Sequence, residues 1–242
     1  MQTSNPVFRN DPFSAATAYG SSMTVGGTVI KTMVLLALAL ISGAATWTLF
    51  ARGANVMPAV IGAGLVGFVV ALGVSFKPTW AAILAPVYAL LEGVLLGGIS
   101  AVYNVQYPGI AFAAAGGTAA TLAGLLFAYQ TGIIRASDNF KRGVVAATLG
   151  IMLFYVATMV LGFFGIQMPG VFGSGWVGIG FSLFVVVIAA LNLVLDFDFI
   201  ENGARSGAPK YMEWYGAFGL MVTLVWLYLE ILRLLSKLAD RR

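Results

Sequence analysis

The chain has no cysteine and no histidine, and only 9% of its 242 residues are charged. Without cysteine there are no disulfides, iron–sulfur clusters, thiol nucleophiles or thiolate zinc ligands. Without histidine there is no imidazole-ligated metal or haem, no Ser–His pair and no imidazole pH switch. Any proton chemistry near neutral pH must fall to carboxyl groups whose ionisation is shifted by burial or by a neighbouring acid. No enzyme motif is present: the chain lacks the second Gly-Asp motif that an intramembrane aspartyl protease needs, and Ser100 has no base to activate it. Lys237, the lysine of the last apolar segment, sits at its end, whereas a retinal Schiff base needs one at mid-membrane. These absences predict a non-enzyme without a cofactor.

What fills the chain instead is apolar. Hydrophobic residues make up 60% and glycines number 30, far from the roughly 45–50% apolar and 25% charged of a soluble domain. The fold class expected is all-α, a polytopic membrane protein. Residues 1–28 read as a flexible polar tail, with Asn5-Pro6, Asp11-Pro12 and a Ser/Thr/Gly-rich run, and without the pattern of a cleaved signal peptide. Residues 29–242 read as one domain. Seven stretches each approach the ~20 residues that span hydrocarbon: Ile30 to Phe50, Val56 to Phe76, Trp80 to Tyr103, Gly109 to Gln130, Gly143 to Gly165, Gly175 to Ile200 and Tyr215 to Leu238. Trp47, Trp80, Trp176 and Trp214 fall near their ends, at headgroup level, and Trp226 sits mid-segment as packing. Gly93 and Gly97 form a GxxxG, whose default use is close helix packing.

With the N-terminus inside, the inner side holds Arg9, Lys31, Lys77, Arg135, Lys141, Arg142, Arg205 and Lys210, while the outer loops hold Arg52. This bias puts the N-terminus in the cytoplasm. Arg233, Lys237, Arg241 and Arg242 then lie outside if the last segment crosses, the expectation adopted here over a re-entrant segment. The basic residues are spread over tails and loops, so they indicate topology and contact with the lipid bilayer, not with nucleic acid.

The acids within apolar segments are the functional candidates. An aspartate at a helix centre costs roughly 2.5–3.5 kcal/mol on insertion scales, less toward an end, so such acids face cavities, pair up or carry protons and ions. Glu92 sits mid-way along the third segment with no base within a turn. Asn192, Asp196 and Asp198 sit in the last turns of the sixth. Asn192 and Asp196 are four apart and share a face, whereas Asp198 points roughly opposite, so Asp196 is the one expected beside Asn192. Glu230 has Arg233 one turn on, an adequate ion pair, and Thr223 lies two turns earlier on the same face. Asp11, Asp138, Glu213 and Asp240 read as tail or loop acids.

Taken together, Leu90-Leu91-Glu92-Gly93, Leu195-Asp196-Phe197-Asp198-Phe199-Ile200 and Glu230-Ile231-Leu232-Arg233, in this order across seven spans, resemble the Bax inhibitor-1 family in its bacterial YccA-like branch. The resemblance runs from about Tyr19 to the C-terminus. It implies a seven-helix bundle around a central helix, in the bacterial inner membrane, acting as a pH-sensitive calcium leak. In characterised members a sixth-helix aspartate and a seventh-helix aspartate form a hydrogen-bonded pair that closes the pore. The first corresponds to Asp196. The second corresponds to Thr223, which is not acidic, so the shared proton is lost. Asp196 could bond the Thr223 hydroxyl, or Glu92 or Asp198 could supply the second carboxylate. Calcium would then contact Asp196 and Glu92, oxygen ligands of the kind it prefers. Some members instead bind another membrane protein such as a protease, which gives a non-conducting regulator as the alternative.

Overall fold

The computed structural model of the protein describes residues 22–165 and 169–241. Seven long helices make up most of it: α1 (Val25–Ala51), α2 (Met57–Phe76), α3 (Ala81–Gln106), α4 (Ile110–Gln130), α5 (Asp138–Phe163), α6 (Trp176–Arg205) and α7 (Met212–Ala239). A 3-10 turn, Pro78–Trp80, leads into α3, and one helical turn, Pro169–Phe172, precedes α6. All seven are long and apolar enough to cross a membrane, and the chain is a multi-pass membrane protein. Of the tail read over residues 1–28, positions 1–21, with Arg9 and Asp11, lie outside the described residues, as do 166–168 and Arg242.

Local chemistry sets the helix boundaries, several of which differ from expectation. Expected at Ile30, α1 starts at Val25, because the Thr24 side chain caps it by accepting from Gly27 N at 3.0 Å. Ser137 caps α5 through Phe140 N, with Asp138 in the first turn where an acid suits the helix dipole. This brings Lys141 and Arg142 onto the helix rather than the loop. Between α3 and α4 the chain turns at Gly109, whose φ of 86° suits only glycine, and Asn104 Oδ1 accepts from its N–H at 2.8 Å. The 30 residues of α6 reach about 45 Å at 1.5 Å each, beyond the hydrocarbon thickness. Asp198 and Glu201 therefore belong to a continuing helix, not to its end.

Helix α7 is the most buried of the seven spans and packs against α1, α3, α4 and α6. It is the central helix. It is also unbroken from Met212 to Ala239, as a crossing helix is and a re-entrant one is not, so Val25 and Ala239 stand at opposite ends of the bundle. α2 packs on α3, and α5 packs on α6; both are peripheral. The GxxxG of α3 seats α1: a Cβ on Gly97 would stand 2.3 Å from Gly43 O and 2.7 Å from Gly43 Cα. Backbone-to-backbone approach of this kind is available only to glycine.

The two ends of the bundle carry separate polar clasps. At the end holding Lys31, Lys141, Arg205 and Lys210, Glu213 opens α7 and is fully buried. It accepts from Thr24 N at 2.9 Å, from Thr24 Oγ1 at 2.8 Å, from Lys31 and from Lys210 at 2.8 Å. The expectation of a loop acid is corrected here: the α6–α7 link is shorter than the sequence indicated, and residues 182 and 189 positions away close on Glu213. At the opposite end, Asp240 accepts from Tyr107 Oη and from Ser174 Oγ (2.9 Å). Lys237, expected merely to end the last helix, is buried and donates to the carbonyls of Val171 (3.1 Å) and Gly178 (3.0 Å).

Candidate functional site

Toward the Lys31/Lys210 end, α6 and α7 form the floor of a cleft of about 1230 Å³, walled by α2 through Ala71 and Ser75 and by α5 through Lys141 and Val145. Asn192, Asp196 and Asp198 all line it. That Asn192 and Asp196 share a face was expected. The presence of Asp198 corrects the expectation that it would point away. The cleft is wide enough at this end to wrap around α6, and Asp198 is drawn toward α5 by Lys141 at 2.6 Å and bonded by Asn202 at 2.9 Å.

Asp196 is the group without such ties. Its Oδ2 is buried and has no hydrogen-bond partner among the described residues. The other oxygen approaches α7 closely, since a Cβ added to Gly219 would sit 4.0 Å from Oδ1. Thr223 lies beside the carboxyl. Its hydroxyl stands 3.3 Å from Gly219 O of its own helix, long for an O–H···O bond. Thr223 is buried and does not itself line the cleft. The pair Asp196–Thr223 thus faces across the α6–α7 contact without a second acid. Asn192 does not turn its amide to Asp196 either; it donates to Thr148 Oγ1 on α5 and to Ile188 O, both at 2.8 Å.

Glu92 is buried in α3, with Tyr88 one turn earlier beside it and its Oε1 3.5 Å from where a Cβ on Gly67 of α2 would be. Its Oε2 also lacks a partner. It does not line the Asp196 cleft, so the structure does not bring the two proposed calcium contacts together. Among the described residues no three acids gather as a metal cage. Glu230 belongs to neither site. It accepts from Arg233 Nη1 at 2.8 Å, the pairing expected, and from Tyr155 Oη at 3.1 Å, which ties α7 to α5.

Chemically, the cleft offers two carboxyl groups, Asp198 tied to Lys141 and Asp196 without such a tie. A charge on Asp196 would have no hydrogen-bonded counter-ion among the described residues, and burying it so is costly. A family model described as Bax inhibitor 1 like matches residues 5–240. No curated protein and no solved structure matches the chain.

Proposed function

The chain belongs to the Bax inhibitor-1 family, and on that premise we propose that it is a pH-sensitive calcium leak of the bacterial inner membrane, not an enzyme. The observation that carries this reading is Asp196, whose carboxyl oxygen is buried without a partner among the described residues at the floor of a cleft between α6 and the central α7. The bias of Lys and Arg supports a cytoplasmic N-terminus and hence a cytoplasmic mouth for the cleft. Asp196 is the gate. When neutral it lets the apolar contact with α7 stay shut; when charged it favours water and a cation over that contact. Thr223, standing where a second acid is expected, leaves Asp196 without a shared proton. Glu92 serves as a second, separate acid along α3.

The test is calcium-dye flux into liposomes carrying the purified protein. Flux above that of empty liposomes, varying over about pH 5 to 8 where a buried carboxyl can titrate, supports the leak. No excess flux at any pH overturns it and leaves a non-conducting regulator of another membrane protein.

A further inference from the structure

The chain enters the bundle at the edge of the cleft. Met23 donates its N–H to Ala208 O at 2.7 Å, and Ser22 pairs antiparallel with Pro209. Met23 is 2% exposed, and its side chain fills the gap between α6 and α7: a Cβ on Gly203 would stand 2.8 Å from its Sδ, and one on Gly216 3.5 Å from its Cε. Gly203, Ala208 and Gly216 all line the cleft. Thr24, next along, is the residue held by Glu213. The antiparallel register sends the chain upstream of Ser22 toward Lys210 and the start of α7, where Met212 and Tyr215 also line the cleft. The chain has 21 residues before that point.

We propose that the cleft is the docking site of this chain's own segment Phe13 to Ser21, with the Tyr19 hydroxyl donating to Oδ2 of Asp196. The segment continues an interface that Ser22 and Met23 already make. Its sequence, Phe13-Ser14-Ala15-Ala16-Thr17-Ala18-Tyr19-Gly20-Ser21, holds no charged residue. That suits a lining whose cations are already answered, Lys141 by Asp198 and Arg205 by Glu201, and whose one carboxyl without a partner among the described residues calls for a hydrogen-bond donor. Asp196 lies seven residues before Gly203 on α6, about 10 Å at 1.5 Å per residue. Tyr19 precedes Met23 by four residues, an extended reach of up to about 13 Å, which brings it to the depth of that carboxyl. Ala15, Ala16 and Ala18 need little width, and at about 1230 Å³ the cleft exceeds the roughly 300–1,000 Å³ of ordinary small-molecule pockets. Docked, the segment covers Asp196 from the side on which the cleft opens. Its occupancy does not depend on whether the protein conducts.

Because the chain has no cysteine, introduced thiols are the only ones present. In the full-length protein in liposomes, Ala18→Cys/Val222→Cys, with its second thiol on the cleft wall, is expected to crosslink within one chain under a short bismaleimide. Ala18→Cys/Ile133→Cys, whose second thiol is exposed and outside the cleft, is expected not to. Maleimide labelling of Val222→Cys alone is expected to quicken about threefold to tenfold when Tyr19→Phe is added, the factor that one net intramolecular hydrogen bond corresponds to. Arg9→Gln, outside the segment, is expected to leave that rate unchanged. If Val222→Cys does not fold, Val145→Cys on the α5 wall replaces it. Equal crosslinking at the two sites, none at either, or a labelling rate that Tyr19→Phe does not alter would overturn the proposal. So would crosslinks between chains, which assign the cleft to a second copy, and labelling quickened by lipid removal but not by Tyr19→Phe, which assigns it to an acyl chain.

Discussion

Glu213 and Thr24 join the last membrane helix to the first: the carboxylate at the start of α7 accepts both the backbone N–H and the hydroxyl of the residue that caps α1, at 2.9 and 2.8 Å. Lys31 and Lys210 complete the set. Replacing Glu213 with Ala leaves two cations, a hydroxyl and an N–H without their acceptor. Removing one partner of a fully buried pair costs about 3–5 kcal/mol, but Lys31 and Lys210 keep partial access to water, so about 2–3 kcal/mol is expected. Thermal unfolding in detergent checks this. An unchanged midpoint would show that the clasp is not a source of stability.

Helix α3 is expected to be intolerant where it meets α1. A Cβ at Gly97 would meet backbone atoms of Gly43 at 2.3 Å, which no rotamer change relieves, so Gly97→Ala should destabilise by about 1–3 kcal/mol through overpacking. Gly116 on α4 has nothing within 4 Å of an added Cβ, and Gly116→Ala should be neutral or stabilise by up to about 1 kcal/mol. Opposite signs for the two variants in one unfolding assay would support the close α1–α3 contact; equal effects would contradict it.

Tyr155 reaches from α5 to both Glu230 and Arg233 of α7, at 3.1 and 2.9 Å. Tyr155→Phe removes the hydroxyl and keeps the ring against Phe172 and Phe181. A loss of about 0.5–1.5 kcal/mol is expected, together with faster hydrogen exchange in α5, which has few other buried residues. Unchanged exchange would mean the tie does not hold α5.

Asp240 lies just past α7, and its carboxyl is held below the usual aspartate range by hydrogen bonds from Tyr107 and Ser174. A lowered folded-state pKa contributes stability above the unfolded value, and that contribution is lost as pH falls through the folded one. The difference between wild type and Asp240→Asn should therefore be present at neutral pH and vanish on acidification below about pH 4. Unfolding midpoints of the two proteins against pH test the sign. A difference that grows on acidification would refute it.

The seven spans, the end-placed tryptophans and the shared face of Asn192 and Asp196 were legible because hydropathy and helical period are local properties. The helix ends were less so. Gly26 and Gly27 masked the cap that Thr24 provides, and the charges of Lys141 and Glu201 resembled loop residues though each lies on a helix. Glu213 was misread, and the burial of Lys237 near the end of its helix was not foreseen, for a different reason. Their partners, Thr24 and Lys31 in one case and the carbonyls of Val171 and Gly178 in the other, are distant in sequence. No periodicity within a helix indicates which remote groups will arrive to satisfy a buried charge. Nor did the spacing rule foresee Asp198 in the cleft, since it assumes a narrow cavity facing one side of α6.

The gate assigned to Asp196 is tested most directly by comparing wild type with Asp196→Asn in calcium-loaded liposomes at a series of pH values from about 5 to 8. The side chain keeps its size and loses its ability to change charge. Wild-type flux should vary across the range, while the variant should show one flux at every pH. If Asp196→Asn retains the wild-type pH profile, Asp196 is not the titrating gate.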